Sequence, residues 1–261
     1  MPRLAANLTM MFNEVPFLDR FEAAATAGFK GVEYLFPYEF PASQIAEKLQ
    51  RHNLEQVLFD LPAGDWAKGD RGNAIFPERV GEFQDGLGKA LDYAKTLGCK
   101  RLTVLAGKQP DRVPMEKLHT TYVDNLKFAA AKAAPLGIAL MVEAINTRDI
   151  PGFFVHRTAH ALQVVKDADA PNVAVQYDVY HMQIMEGDLA PTIKANLPSI
   201  RHMQLADNPG RNEPGTGEIN YSFLLPYIDG LGYDGWIGCE YKPATNTVAG
   251  LGWAAAYLSQ K

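Results

Sequence analysis

Four apolar runs in the second half of the chain each carry a polar side chain at or near their end. These side chains belong to Glu143, Asp178, Gln204 and Glu240, which makes three carboxylates and one amide. Carboxylates brought together without partners repel one another and raise each other's pKa values, and a divalent cation between them removes that repulsion. Because all the donors are oxygens, the set favours Mg²⁺ or Mn²⁺ over Zn²⁺. We predict that these four residues bind one such cation.

Glu143 and Glu240 are also the predicted catalytic pair. Two carboxylates that flank a small substrate can remove a proton from one carbon and deliver a proton to its neighbour. A metal that holds the carbonyl and hydroxyl oxygens of an α-hydroxycarbonyl compound would stabilise the enediolate between those transfers. The chemistry expected of this arrangement is therefore isomerisation.

Residues that follow other predicted strands are candidates for substrate contacts. His181 comes three residues after Asp178 and could donate a proton or a hydrogen bond, and Arg211 lies in a loop rich in glycine and proline. The long connection over residues 64–77 contains Trp66 and Arg71 and could form a lid. Each feature also has a structural alternative. His181 could simply belong to a capped turn, the loop with Arg211 could be a solvated turn, and the connection over residues 64–77 could be disordered. The predicted substrate-binding residues are His181, Arg211, Lys242, Trp66 and Arg71. The candidates to bind a substrate carboxylate are Arg71, Lys108, Arg148, Arg211 and Lys242.

The elements that must position these side chains alternate along the whole chain. The predicted strands are residues 4–8, 31–35, 56–61, 101–105, 138–143, 173–178, 200–205 and 236–241. The segments with helical spacing are residues 17–27, 43–52, 78–97, 115–134, 156–167, 189–196, 223–231 and 248–258. Eight strand–helix units in 261 residues predict an α/β fold, a single (β/α)8 TIM barrel over residues 1–261. An open doubly wound sheet is the alternative, but no strand is followed by a Gly-x-Gly-x-x-Gly turn.

The barrel gives the four polar strand ends a common location. Active sites of such barrels lie at the carboxyl ends of the strands, where inward side chains meet. A single glutamate at a strand end can simply face solvent, but four polar ends on consecutive strands are better explained by one site. The two-residue period of a strand also directs His202 inward beneath Gln204 and Cys239 outward toward the helices. We expect His202 and Glu33 to belong to a buried polar network.

Composition and charge exclude several classes of protein. The chain has 25 Lys and Arg against 30 Asp and Glu, and this acidic balance argues against a nucleic-acid partner. Its two cysteines are far apart, which indicates buried thiols rather than a disulfide framework. The start of the chain lacks the apolar core of a signal peptide, and no apolar stretch is long enough to span a membrane. These features predict a cytoplasmic protein with no membrane partner.

Five segments of the chain resemble the hydroxypyruvate isomerase family of the xylose-isomerase-like barrel superfamily, and the resemblance extends over essentially the whole length. The segments are GDWAKGDRG, MVEAIN, YDVYHMQIMEGD, HMQLADNPGRNEPGTGEINY and GCEYKP. The resemblance implies an intramolecular oxidoreductase that converts hydroxypyruvate to 2-hydroxy-3-oxopropanoate (tartronate semialdehyde) in the metabolism of carbohydrate acids and glyoxylate. It implies Glu143 and Glu240 as catalytic residues. The metal ligands that it implies are Glu143, Asp178, Gln204 and Glu240.

Several alternatives stay open. Close relatives in the family isomerise 2-oxo-tetronates, and ketose 3-epimerases share the superfamily, although many of them place a histidine where Gln204 stands. A metal-dependent hydrolase or repair endonuclease would need many histidine ligands, and the chain has 6 histidines in all. A sugar-acid-binding protein without catalysis is the third class. The expected partner is a small 2-oxo-3-hydroxy acid. Barrels of this kind often associate, so a homo-oligomer is a further expectation.

Overall fold

The eight predicted strands form a closed parallel barrel in which each strand pairs with the next and the eighth pairs with the first. The computed structural model describes residues 2–258, so the ends of the predicted domain at residues 1 and 259–261 lie outside the described residues. The predicted (β/α)8 barrel is confirmed. The strands are β1 (Arg3–Asn7), β2 (Gly31–Tyr34), β3 (Glu55–Asp60), β4 (Arg101–Thr103), β5 (Ala139–Glu143), β6 (Val173–Asp178), β7 (Ile200–Leu205) and β8 (Trp236–Cys239).

Helices connect successive strands and cover the outside of the barrel. They are α1 (Arg20–Thr26), α2 (Ala42–His52), α3 (Val80–Leu97), α4 (Met115–Ala133), α5 (Thr158–Ala168), α6 (Val179–Met185), α7 (Leu189–Asn196), α8 (Tyr221–Gly230) and α9 (Ala255–Leu258). Short 3₁₀ segments add Phe17–Asp19, Trp66–Lys68, Pro77–Arg79, Ala134–Leu136, Leu197–Ser199 and Ala249–Ala254. The last predicted helix is therefore mostly 3₁₀, and α6 was not predicted. In the described part of the chain, no helix has the length and apolar character needed to cross a bilayer.

Two apolar layers support the barrel. The larger layer lies between the strands and the helices, and it includes the buried thiol of Cys239 on the outward side of β8. A smaller cluster inside the barrel includes Met141 and Trp236. Met141 precedes Glu143 by two residues and so shares its side of β5. Glu143 therefore stands above a packed apolar side chain rather than above an open channel.

Candidate active site

A cavity of about 90 Å³ opens at the carboxyl ends of the strands. Its wall contains most of the residues predicted to act on a substrate or a metal. These are Glu143, Gln204, Glu240, His181, Arg211 and Trp66. Six of the nine predicted site residues therefore lie at one cavity.

Three carboxylates and one histidine meet at this cavity. Glu143, Asp178, His181 and Glu240 each present a potential ligand atom, and these atoms all lie within 4.8 Å of one another. The Asp178 side chain also begins α6, because its Oδ1 accepts the backbone N–H groups of Tyr180 (2.7 Å) and His181 (3.2 Å). Its Oδ2 is buried and has no hydrogen-bond partner among the described residues. An anionic oxygen left in this condition is costly, and a cation beside it would remove the cost.

Burial and mutual repulsion shift the pKa values of both glutamates upward. Burial raises the pKa of Glu143 well above its usual range, and the charges of Glu240 and Asp178 raise it further. Burial also raises the pKa of Glu240 to about 8, although the Arg211 guanidinium opposes this shift. Arg211 lies close enough to donate from Nη2 to the Glu240 Oε2, at 3.0 Å. Carboxyl groups with raised pKa values can hold and release protons near neutral pH, as acid–base catalysis requires.

His181 is oriented as a hydrogen-bond donor to the cavity. Burial lowers the pKa of its ring to about 4, so the ring is neutral at neutral pH. The Asn146 side-chain oxygen accepts the backbone N–H of Asp149 (2.7 Å), which leaves the Asn146 amide nitrogen to donate to His181 Nδ1 (2.6 Å). The remaining proton is then on Nε2, which lies 3.6 Å from Asp178 Oδ2 and 3.9 Å from Glu143 Oε1. A protonated nitrogen cannot ligate a metal, so the carboxylates are the better candidates as ligands.

A line of hydrogen bonds across the barrel orients the amide of Gln204. Its Nε2 donates to Glu33 (2.8 Å), and its Oε1 accepts from Gln176 Nε2 (2.6 Å). The Gln176 oxygen in turn accepts from the Thr103 hydroxyl (2.8 Å). These contacts direct the Gln204 oxygen away from Glu33. Because a carbonyl oxygen has two lone pairs, one stays available after the bond from Gln176.

Glu33 ends this line inside the barrel, in the buried network predicted with His202. It is fully buried, and it accepts further hydrogen bonds from Asn7 Nδ2 (3.0 Å) and His202 Nε2 (2.7 Å). Gly238 on β8 provides the space for it, because a Cβ at that position would lie 2.2 Å from a Glu33 carboxylate oxygen. The position of the Glu33 carboxylate therefore requires a residue without a side chain at position 238.

The predicted cations differ in their relation to the cavity. Arg211 lines it, has 19% of its side chain exposed, and carries a buried Nε without a hydrogen-bond partner in the described part of the chain. Arg71 instead packs its guanidinium 4.1 Å from the centre of the Trp66 ring and donates to the Trp66 backbone oxygen (3.1 Å). Lys242 is exposed and is not among the residues that line the cavity. Lys108 and Arg148 are exposed as well. The structure thus brings Arg211 to the cavity and uses Arg71 to support Trp66.

Asp60 lines the same cavity but is not among the residues predicted from the sequence. It is the last residue of β3 and is only 6% exposed. Asp60 stands one residue before the end of its predicted run, as Gln204 and Glu240 do, so the same signal was present in the sequence.

Comparisons with known proteins agree with the fold. The chain matches the xylose isomerase-like TIM barrel family over residues 21–257, and it belongs to that family. It is 48% identical to the 2-oxo-tetronate isomerase of Cupriavidus necator, with all of both chains covered, which confirms the resemblance found in the sequence. It is also 48% identical to the hydroxypyruvate isomerase of Escherichia coli, with 98% of this chain and 100% of the relative covered.

A solved structure from Brucella melitensis, described as an AP endonuclease of family 2, superimposes with a TM-score of 0.97 and 49% identity. The alignment covers 98% of this chain and 99% of that one. That description names a different activity from those of the two curated relatives. The group of potential metal ligands at the cavity, however, contains one histidine beside three carboxylates.

Proposed function

We propose that this protein is an isomerase that interconverts a 2-oxo-3-hydroxy acid and its 2-hydroxy-3-oxo isomer. The observation that carries the proposal is the placement of Glu143 and Glu240, two buried carboxylates with raised pKa values, at one cavity and within 4.8 Å of each other and of Asp178. Hydroxypyruvate and 2-hydroxy-3-oxopropanoate are the smallest such pair. A 2-oxo-tetronate is the second candidate substrate, because the chain is 48% identical to relatives named for each activity.

Glu143, Asp178 and Glu240 would hold a divalent cation, with the amide oxygen of Gln204 as a fourth ligand. The partnerless Oδ2 of Asp178 supports this assignment, and a set of oxygen donors suits Mg²⁺ or Mn²⁺. When bound, such a cation supplies Lewis-acid stabilisation to the negative charge that develops on the substrate oxygens as the enediolate forms.

The protein's own groups move the protons. One glutamate takes the proton from C3 of the 2-oxo acid, and the other delivers a proton to C2. The proton of the C3 hydroxyl passes to the C2 oxygen, so that the carbonyl group moves from C2 to C3. The Nε2–H of His181 donates to a substrate oxygen, and Arg211 binds the substrate carboxylate through the guanidinium that also contacts Glu240. Trp66 and the apolar part of the wall exclude water from the reacting carbons. Contacts of Arg71 and Lys242 with the substrate remain predictions that require movement of their loops.

The remaining features are predictions of the same proposal. We expect a homo-oligomer, a cytoplasmic location, and no nucleic-acid or membrane partner. A zinc-dependent hydrolase on this scaffold is the less favoured activity, because three of the four potential ligands are carboxylates.

Proton NMR tests the proposal directly. The enzyme loaded with Mg²⁺ or Mn²⁺ is incubated in D₂O with hydroxypyruvate and, separately, with a 2-oxo-tetronate. We expect the carbonyl group to migrate. We also expect the transferred carbon-bound proton to be replaced by deuterium where it equilibrates with solvent. Neither change should occur in Glu143→Gln or Glu240→Gln. A protein that only binds sugar acids would produce neither change, and the absence of conversion of both substrates would contradict the proposal.

A further inference from the structure

Asp60 is a carboxyl group at the cavity that the proposed proton transfers do not use. It stands at the end of β3, outside the group formed by Glu143, Asp178, His181 and Glu240. Its backbone is fixed, because its N–H donates to the Leu35 oxygen (2.8 Å) and its oxygen accepts from the Tyr38 hydroxyl (2.6 Å). A carboxyl group carried on so fixed a backbone position at the wall is suited to recognise a substrate group.

The surroundings of Asp60 are unfavourable for a second negative charge. Burial raises its pKa well above the usual range, and the charges of Glu240 and Glu33 raise it further, while the nearby Thr103 side chain opposes the shift. A substrate carboxylate placed here would meet these negative groups. A hydroxyl group is tolerated, because it can donate to the carboxyl oxygen or accept from its O–H.

The opposite side of the cavity provides the place for the carboxylate. Among the described residues that line the cavity, Arg211 is the one cation. It lies beyond β7, and β7 is opposite β3 in a closed ring of eight sequential strands. A substrate with C2 and C3 at the two glutamates and its C1 carboxylate at Arg211 would direct any further carbon toward Asp60.

We propose that Asp60 binds the C4 hydroxyl of a four-carbon substrate, so that the enzyme prefers a 2-oxo-tetronate to hydroxypyruvate. This inference rests on the proposed isomerase function and specifies its substrate. Hydroxypyruvate ends at C3 and leaves the Asp60 carboxyl without a substrate partner. A site built to hydrogen-bond a substrate hydroxyl discriminates against the analogue that lacks it. With one hydrogen bond and its packing involved, we expect a preference of about 10- to 100-fold in kcat/KM.

The kinetic test compares both substrates in three forms of the enzyme. Asp60→Ala should lower kcat/KM for the 2-oxo-tetronate about 10- to 100-fold and change that for hydroxypyruvate by about threefold or less. Asp60→Asn should keep most of the preference, because the amide still offers a hydrogen bond. Asp124→Ala, on the exposed side of α4, is the matched control and should leave both substrates unaffected. An equal loss for both substrates in Asp60→Ala, or a wild-type preference for hydroxypyruvate, would overturn the inference.

Binding of unreactive analogues gives a second readout that does not depend on turnover. Calorimetry measures glycerate against the epimeric 2,3,4-trihydroxybutanoates, with Mg²⁺ present. We expect the wild type to bind one four-carbon epimer about 10-fold or more tightly than glycerate, and Asp60→Ala to lose that advantage. Equal affinity for both analogues in the wild type would overturn the inference.

The kinetic and the binding experiments together distinguish a failure of the inference about Asp60 from a failure of the proposed function. Failure of the wild type to isomerise either acid would contradict the proposed function, while the binding ratio would still decide whether Asp60 recognises a fourth carbon. If Asp60→Ala fails to fold by circular dichroism, Asp60→Asn and the wild-type analogue affinities carry the test.

Discussion

The two sides of the cavity are built from different chemistry. On the side of β5 to β8, the strand ends and the loops that follow them present charged and titratable groups within a few ångströms of one another. On the side of β2 to β4, the wall is formed largely by Tyr34, Leu58, Trp66 and Leu105, and Asp60 is its carboxyl group. The first side has the groups that move protons, and the second has the shape and the hydrogen bond that select a substrate. One barrel can therefore keep its reaction while its preference changes.

The two sides of the cavity also differ in their need for a compensating positive charge. Burial and the charges of neighbouring carboxylates raise the pKa values of Glu143 and Glu240, and Arg211 compensates only part of that repulsion. A cation would relieve it. Asp60 is unfavourable as an anion but satisfactory as a neutral acid, so the side of β2 to β4 needs no cation. The following predictions test this difference.

The largest effect is expected from the acid–base pair. Glu143→Gln and Glu240→Gln keep the side-chain volume but remove the proton-transfer group, so kcat should fall by about 10³-fold or more. Steady-state kinetics measures the loss, and circular dichroism checks that the fold is retained. Glu116→Gln, at an exposed position of α4, is the matched control and should retain full activity. Turnover near the wild-type rate in both active-site variants would mean that the side of β5 to β8 does not perform the reaction.

Removal of the metal should have the next largest effect. Chelation should end turnover and lower the melting temperature, because an ion at about 100 times its Kd stabilises the fold by about 2.7 kcal/mol. Addition of Mg²⁺ or Mn²⁺ should restore both properties. Asp178→Asn keeps the cap of α6 but loses a negative ligand, so its melting temperature should respond much less to the ion. A melting temperature that is the same with and without the ion in the wild type would contradict the metal site.

A third prediction concerns the packing beneath the site. Gly238→Ala would place a Cβ 2.2 Å from the Glu33 carboxylate, and we expect a loss of about 1–3 kcal/mol in the free energy of unfolding. Gly88→Ala in α3 meets no atom within 4 Å and should instead gain about 0.5–1 kcal/mol. Urea denaturation measures both. If the two alanines had equal effects, Glu33 would not be closely packed against β8.

The smallest effect is a dependence of stability on pH in the metal-free protein. The pKa of Glu240 is about 8 in the folded protein against 4.5 as its ordinary value, so the folded state binds more protons between these pH values. Its contribution to stability is complete below pH 4.5 and is lost as the pH rises through 8. The low pKa of His181 acts in the opposite direction, because it makes stability rise with pH up to about pH 6.5. The effect of Glu240 is therefore best measured between pH 7 and 8.5.

In that window the free energy of unfolding should fall by up to about 1.4 kcal/mol per pH unit for each proton released. Glu240→Gln and bound metal should each reduce the slope. Stability that rises with pH across this range would contradict the raised pKa of Glu240.

The strands and their polar ends could be predicted because a parallel barrel imposes a simple pattern on the sequence. The run at 200–205 coincides with β7, and the run at 173–178 coincides with β6, including its terminal Asp178. Buried parallel strands are continuously apolar, so a polar residue at the end of such a run is conspicuous. Glu143 and Glu240 followed from the same argument.

The remaining features depend on where loops and side chains turn. Arg71 and Arg211 both follow strands, but the path of the backbone takes one to Trp66 and the other to Glu240. The helix α6 has seven residues and begins on the Asp178 cap, which is too short for a clear periodic pattern. Asp60 has the same position near the end of an apolar run as Gln204 and Glu240, but its strand lies apart from the four consecutive strands that carry the predicted ligands. These details depend on tertiary contacts that the linear pattern does not contain.

The account depends most on the convergence of Glu143, Asp178 and Glu240 on one ion. A crystal of the protein grown or soaked with Mn²⁺, measured at the manganese absorption edge, tests it most directly. We predict one strong anomalous peak within about 2.0–2.4 Å of an oxygen from each of the three carboxylates. An anomalous map with no peak among these side chains, at a Mn²⁺ concentration that supports turnover, would contradict it.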